Sequence, residues 1–161
     1  MNAEQLADRL AVEATLYTVA DAIDRRDRPQ YRSVFTDVID LDSSSYRPGT
    51  VGRVGADEWV DRATRLFPGL DASQHTISNV RVELIDADTA LIRAYVRADH
   101  VLVNHHGDHV FTIAGYYDDR LVLTSHRWRI QSKKLVVRWS EGNRHIMYLA
   151  AEKAAAVGHS Q

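Results

Sequence analysis

The 161-residue chain contains no cysteine, which excludes disulfides, thiolate nucleophiles and zinc–sulfur sites. Proline is nearly as scarce, with three residues, so long stretches can run as helix or strand without a forced break. No apolar run approaches the roughly 18 residues that a membrane-spanning helix needs. Charge of one sign is lacking too: 20 Lys and Arg against 22 Asp and Glu leave a formal charge of −2. That balance gives no electrostatic reason to expect nucleic acid or an anionic membrane surface as partner. The opening MNAEQLADRL has acidic residues and no apolar core run, unlike a signal peptide, and a cytoplasmic, soluble protein is expected. Phosphate-binding glycine loops, nucleophile elbows and zincin helices are missing. No metal and no cofactor is expected.

What remains is an ordinary globular composition, 45% hydrophobic and 26% charged, at a length that suits one domain over residues 1–161. Residues 3–26 read as one amphipathic helix, with Val12, Leu16, Val19 and Ile23 in a stripe widened by Leu6, Leu10, Tyr17 and Ala20. RRDRPQYRSVF supplies a break and a short second helix with Pro29 in its first turn. VIDLDSSS is a strand candidate and YRPGTVGRVG a loop. ADEWVDRATRLF is a third helix with Trp59, Ala63 and Leu66 on one side, stopped by Pro68-Gly69.

From residue 74 the hydrophobic period changes from helical to alternating. Four strand-like segments follow, HTISNVRVELI, TALIRAYVRADHVLV, DHVFTIAGYYDDRLVLT and HRWRIQSKKLVVRW, joined by short polar breaks that suit hairpins. NRHIMYLAAEKAAA reads as a terminal helix fraying into a tail. Helices followed by a run of hairpin-linked strands make an α+β pattern, a curved antiparallel sheet with helices over one side that would enclose a pocket.

Three ionisable residues stand out against this pattern. Asp24 lies within about 40° of Leu6, Leu10, Tyr17 and Ala20 on the helical wheel, inside the apolar arc, where an unpaired carboxylate is costly; the plainer alternative is a half-exposed cap at the helix end. His100 shares its strand face with Ala90, Ile92, Ala94, Val96, Ala98 and Leu102. The small residues there leave room for a ligand, although a core histidine bonded to backbone fits as well. His75 opens a strand on a face with Ile77 and Asn79, opposite Val80, Val82 and Leu84. NHHGDH, with His105, His106, Asp108 and His109, has metal-ligating side chains but falls in a hairpin turn where neighbours point apart. His126, His145 and His159 fall in a turn, the terminal helix and the tail.

AIDRRDRPQYRSVF, SQHTISNVRVELIDADTALIRAYVRADH and GYYDDRLVLTSHRWRI together resemble the SnoaL-like branch of the nuclear-transport-factor-2-like superfamily, close to the scytalone dehydratases and hexachlorocyclohexane dehydrochlorinases. The resemblance covers nearly the whole chain. It implies a cone-shaped α+β barrel with the amino-terminal helices enclosing one deep cavity, and a homo-oligomer, trimer or dimer. It places Asp24 and His75 as a catalytic Asp–His dyad and His100 as the second catalytic histidine. Ile23 stands where the scytalone dehydratases carry a tyrosine, and Phe111 and Ile113 replace polar residues of their closing strand. The implied cavity is therefore more apolar, lined by Tyr17, Ile23, Trp59, Ala98, Phe111 and Ile113, and its small-molecule substrate greasier.

The resulting expectation is a cofactor-independent lyase in which His75 is the base, Asp24 holds its ring, and His100 protonates the departing oxygen or an enolate. Isomerisation, cyclisation or dehydrohalogenation on the same dyad are alternatives. A non-catalytic ligand-binding module is another, and it would leave Asp24 and His75 beyond hydrogen-bond reach of each other.

Overall fold

A computed structural model describes residues 2–158; His159 lies outside them. Helix α1 spans Ala3–Asp24, started by an Asn2 capping box in which the Asn2 side chain accepts from the Gln5 N–H and the Gln5 side chain accepts from the Asn2 N–H. Asp27 caps the short helix α2, Arg28–Ser33, with Pro29 in its first turn. Strands β1 (Phe35–Asp42) and β2 (Val51–Gly55) precede helix α3 (Ala56–Thr64) and a 3-10 turn at Phe67–Gly69. Four long strands follow, β3 (Ala72–Leu84), β4 (Thr89–Val101), β5 (Val110–Thr124) and β6 (Arg127–Gly142), and helix α4 (His145–Gly158) ends the described chain. None of the described helices is long and apolar enough to cross a membrane.

The strands form a six-stranded sheet in the order β2-β1-β6-β5-β4-β3. The hairpin-linked strands pair antiparallel as the sequence indicated, but β1 joins β6 in parallel, which makes the sheet mixed. The YRPGTVGRVG segment is loop only in part. Residues 51–55 pair with β1 as an edge strand, glycine-containing and mostly exposed, so no buried alternation marked it. Irregularities in register at Ala114/Gly115 and Arg120/Leu121 bend the β5–β6 pair. At Gly115 a Cβ would meet the Val136 carbonyl oxygen at 1.9 Å, so the bend requires glycine.

One stripe of α1, Val12, Leu16, Val19 and Ile23, packs into the core as its spacing predicts. The widening residues Leu6, Leu10 and Tyr17 stay about half exposed, at 45%, 58% and 46%. On α3 the deepest residues are Ala56 and Val60, with Trp59 and Ala63 packed partly against them. Helix α4 seats Ile146 and Ala150 in the core and presses on the 3-10 turn. A Cβ on Gly69 would lie 1.9 Å from the Ala150 carbonyl oxygen, a contact only glycine permits.

An ion pair sits inside this core. Lys133 Nζ donates to Asp119 Oδ2 at 3.1 Å, Asp119 Oδ1 accepts the Lys134 N–H at 3.0 Å, and the ammonium lies 3.6 Å from the Tyr117 ring centroid. Both side chains are nearly inaccessible, so each is tolerable only while the other is present. Lys133→Ala should lower the unfolding free energy by about 3–5 kcal/mol in urea titration. A loss within a few tenths of a kcal/mol would show that the pair carries no such constraint.

Candidate active site

Strand β3 is an edge of the sheet, so alternate backbone N–H groups along it have no neighbouring strand to bond. One of them belongs to His75, and it donates to Asp24 Oδ2 at 2.6 Å. The His75 ring turns the same way, its Nδ1 lying 2.8 Å from Asp24 Oδ1. Ser73, two residues earlier on the same face of β3, donates its hydroxyl to Asp24 Oδ1 at 2.9 Å. The last residue of α1 is thus held by three donors from one strand edge. The Asp24 side chain is 20% exposed and that of His75 7%. Burial pushes the Asp24 carboxyl up, but the hydrogen bonds from His75 and Ser73 outweigh it and hold the group below the usual carboxylate range.

A carboxylate only accepts, so His75 Nδ1 carries the proton and, in the neutral ring, Nε2 presents a lone pair. His100 reaches the same site from β4. Its Nδ1 lies 3.1 Å from the Phe111 carbonyl oxygen, which likewise only accepts, and this fixes the same tautomer. Burial and the facing His75 lower the His100 pKa to about 4, and the Phe111 carbonyl, Asp24 and Asp99 offset only part of that. His100 is therefore neutral at neutral pH, with Nε2 an acceptor. This differs from the expected proton donor: the carbonyl behind the ring has already taken its only N–H.

Phe67 completes the arrangement from the 3-10 turn. The His75 and His100 rings are 5.8 Å apart, edge to face, and each lies 5.9 Å from Phe67. Phe111 closes the far side of His100 at 6.3 Å. Two hollows lie nearby; Asp24 and His75 line the first only, and His100 lines neither. One, of about 290 Å³, is open to solvent and lined by Tyr17, Ala20, Asp21, Asp24, Gln74, His75 and Ile77. The other, of about 140 Å³, lies beside Ile23, Arg26 and Phe67. Of the residues expected to line the substrate space, Tyr17 and Ile23 each border one of these hollows. Ala98 and Ile113 are cross-strand partners on β4 and β5 and, like Phe111, are buried next to the histidines. Trp59 packs against the core and borders neither hollow.

Asp24, His75 and His100 therefore converge, and the Asp24–His75 contact is well inside hydrogen-bond reach, as the non-catalytic alternative would not have it. His75 faces its neighbours differently from the simple alternation. Asn79 adopts φ 51°, a register shift separates Ser78 from Arg81, and the extra residue turns Val80, Val82 and Leu84 to the same inward side as His75 and Ile77. Ser73, Phe67 and Arg26, none singled out by pattern, also belong to the site. Only Ser73 left a signal, its i−2 position on the His75 face. The His105–His109 turn is exposed and stands apart, with the His106 ring against that of His145.

The profile of the SnoaL-like domain matches residues 4–134. The chain belongs to the SnoaL-like domain family. A crystal structure of a Kribbella flavida protein superposes on this SnoaL-like chain with a TM-score of 0.83 at 28% identity, over 89% of this chain and 99% of that one. A Novosphingobium aromaticivorans protein named after scytalone dehydratase gives a TM-score of 0.78 at 17% identity, covering 89% and 93%. A hexachlorocyclohexane dehydrochlorinase from Novosphingobium barchaimii gives 0.70 at 18%, covering 88% and 93%. The last two likenesses are of fold. No protein of curated function matches the sequence.

The depressed His100 pKa makes the site acid-sensitive. Between pH 6.5 and about 4 the unfolded chain binds a proton at this residue that the folded chain refuses, so stability falls as the pH falls through that window. The loss is about 3 kcal/mol at its limit. Urea unfolding at pH 7 and pH 4.5 should show a smaller drop for His100→Gln than for the parent. Equal drops would contradict a buried neutral His100.

Proposed function

We propose that this SnoaL-like domain is a cofactor-independent lyase that eliminates water from a small, largely apolar cyclic or polyketide-type substrate. The observation that carries the reading is the 2.8 Å contact from His75 Nδ1 to Asp24, which leaves the Nε2 lone pair of a buried imidazole free beside the Phe67 and His100 rings. In the reaction, Nε2 of His75 takes a proton from a carbon made acidic by a neighbouring carbonyl. Asp24 stabilises the imidazolium that forms and keeps its ring from turning. The electron pair released at carbon forms the new double bond and expels the hydroxyl on the adjacent carbon.

That hydroxyl needs a proton to leave as water, and a neutral His100 has none to give from Nε2. The imidazolium of His75 supplies it, so one ring takes the proton and returns it, and both transfers lie on one face of the substrate. His100 accepts a hydrogen bond from the departing hydroxyl and turns the oxygen lone pair toward His75. A halide offers His100 no donor, which favours a hydroxyl leaving group over chloride. The relatives named for a dehydratase and a dehydrochlorinase support elimination as the reaction class.

A panel of cyclic β-hydroxy ketones, followed by enone absorbance, tests the reading. His75→Ala and Asp24→Asn should each lower turnover by about 10²-fold or more with the fold intact, and His100→Gln, which keeps an acceptor, by less. Full turnover in either dyad variant would overturn the assignment. Deuterium from solvent appearing at carbon in an isomeric product, without loss of water, would replace elimination by isomerisation on the same dyad.

A further inference from the structure

Arg26 stands one residue beyond the C-cap of α1, where helices commonly end on glycine, and its φ is 59°. A bulky side chain in this left-handed region is strained, and such strain persists where the surroundings over-determine it. The neighbouring Arg25 and Arg28 reach outward to ion pairs with Asp21 and Asp61. Arg26 folds the other way, and its side chain is half-buried. Its Nη1 donates to the Asp24 carbonyl and, at 2.9 Å, to Ser73 Oγ. The guanidinium carbon lies 6.0 Å from the Phe67 ring centroid, within reach of a cation–π contact. All three partners belong to the site. Asp24 is the carboxylate, Ser73 donates to its Oδ1, and Phe67 touches both histidine rings.

The Ser73 hydroxyl has one proton and rotates freely unless something fixes it. An incoming Arg26 N–H occupies an oxygen lone pair and leaves the Ser73 proton directed at Asp24. The same guanidinium grips the Asp24 backbone, so the main chain and the carboxylate are held from one point. We propose that Arg26 is the positioning residue of the dyad, acting through Ser73 and the Asp24 carbonyl to hold the carboxylate against His75. The strained turn is retained because glycine there would supply the backbone shape without the side chain. This inference rests on the dyad reading above, yet it concerns the geometry of the resting protein and can be tested without substrate.

Arg26→Gly is the decisive variant because it relieves the backbone strain while deleting the side chain. Thermal unfolding should show a Tm at or above that of the parent. NMR should show the His75 Nδ1 proton exchanging with water about tenfold faster or more, and the Asp24 carboxyl titrating at higher pH than in the parent. Ser73→Ala should show the same two changes, the double variant no more than either single one, and Arg26→Lys a partial return. Parent-like exchange and titration in Arg26→Gly would overturn the proposal, whether or not Tm falls, since a purely structural arginine would alter Tm alone. If the dyad variants kept full turnover while these NMR changes appeared, the lyase reading would fail and the positioning role would stand.

Discussion

A carboxylate at the carboxy-terminal end of a helix is in the wrong place electrostatically. The helix dipole puts partial negative charge there, and an acidic side chain in that turn is disfavoured by about 0.3–1 kcal/mol. Partial burial of Asp24 adds to the cost. What makes the position tenable is the edge of β3, which delivers a backbone N–H, an imidazole N–H and a hydroxyl to one carboxylate. The other features of the site follow from that meeting. It fixes where α1 ends against the sheet, which ring nitrogen of His75 is free, and how close His75 stands to His100. A functional group is held in a locally unfavourable setting, and the rest of the fold supplies the compensation.

The division of labour between the two histidines is likewise set by their backs rather than their faces. Each ring has one nitrogen occupied by an acceptor that never donates, a carboxylate for His75 and a carbonyl for His100. Identical side chains thereby acquire different capacities. A carboxylate behind a ring stabilises positive charge on it; at His100 burial and the facing His75 lower the pKa to about 4, and the Phe111 carbonyl offsets only part of that. The two acceptors stand side by side with Phe67 and Phe111 around them.

Much of this was legible in the sequence, and the illegible parts have identifiable causes. His100 was readable because β4 runs without a bulge, so its strict alternation predicted the buried face residue by residue. Asp24 was found by an arc that turned out to be half exposed at Leu6, Leu10 and Tyr17. The environment of Asp24 comes from β3 rather than from its own helix. The face of His75 was obscured by one inserted residue at Asn79, since a single extra residue inverts every later side chain. Strand β2 was hidden because an exposed edge strand with glycines needs no apolar pattern. Arg26 and Phe67 act through distant contacts, and a left-handed arginine or a ring on a single 3-10 turn leaves no periodic trace. The parallel β1–β6 pairing joins segments nearly a hundred residues apart, which no local signal encodes.

The central claim is that Asp24 locks His75 as the Nδ1–H tautomer with Nε2 free. Nitrogen-15 chemical shifts of the neutral His75 ring, recorded in the unliganded protein, test this most directly. The account predicts a protonated Nδ1 and an unprotonated Nε2 in the parent, with the two forms mixing in Asp24→Asn. A ring that is predominantly Nε2–H in the parent would contradict it.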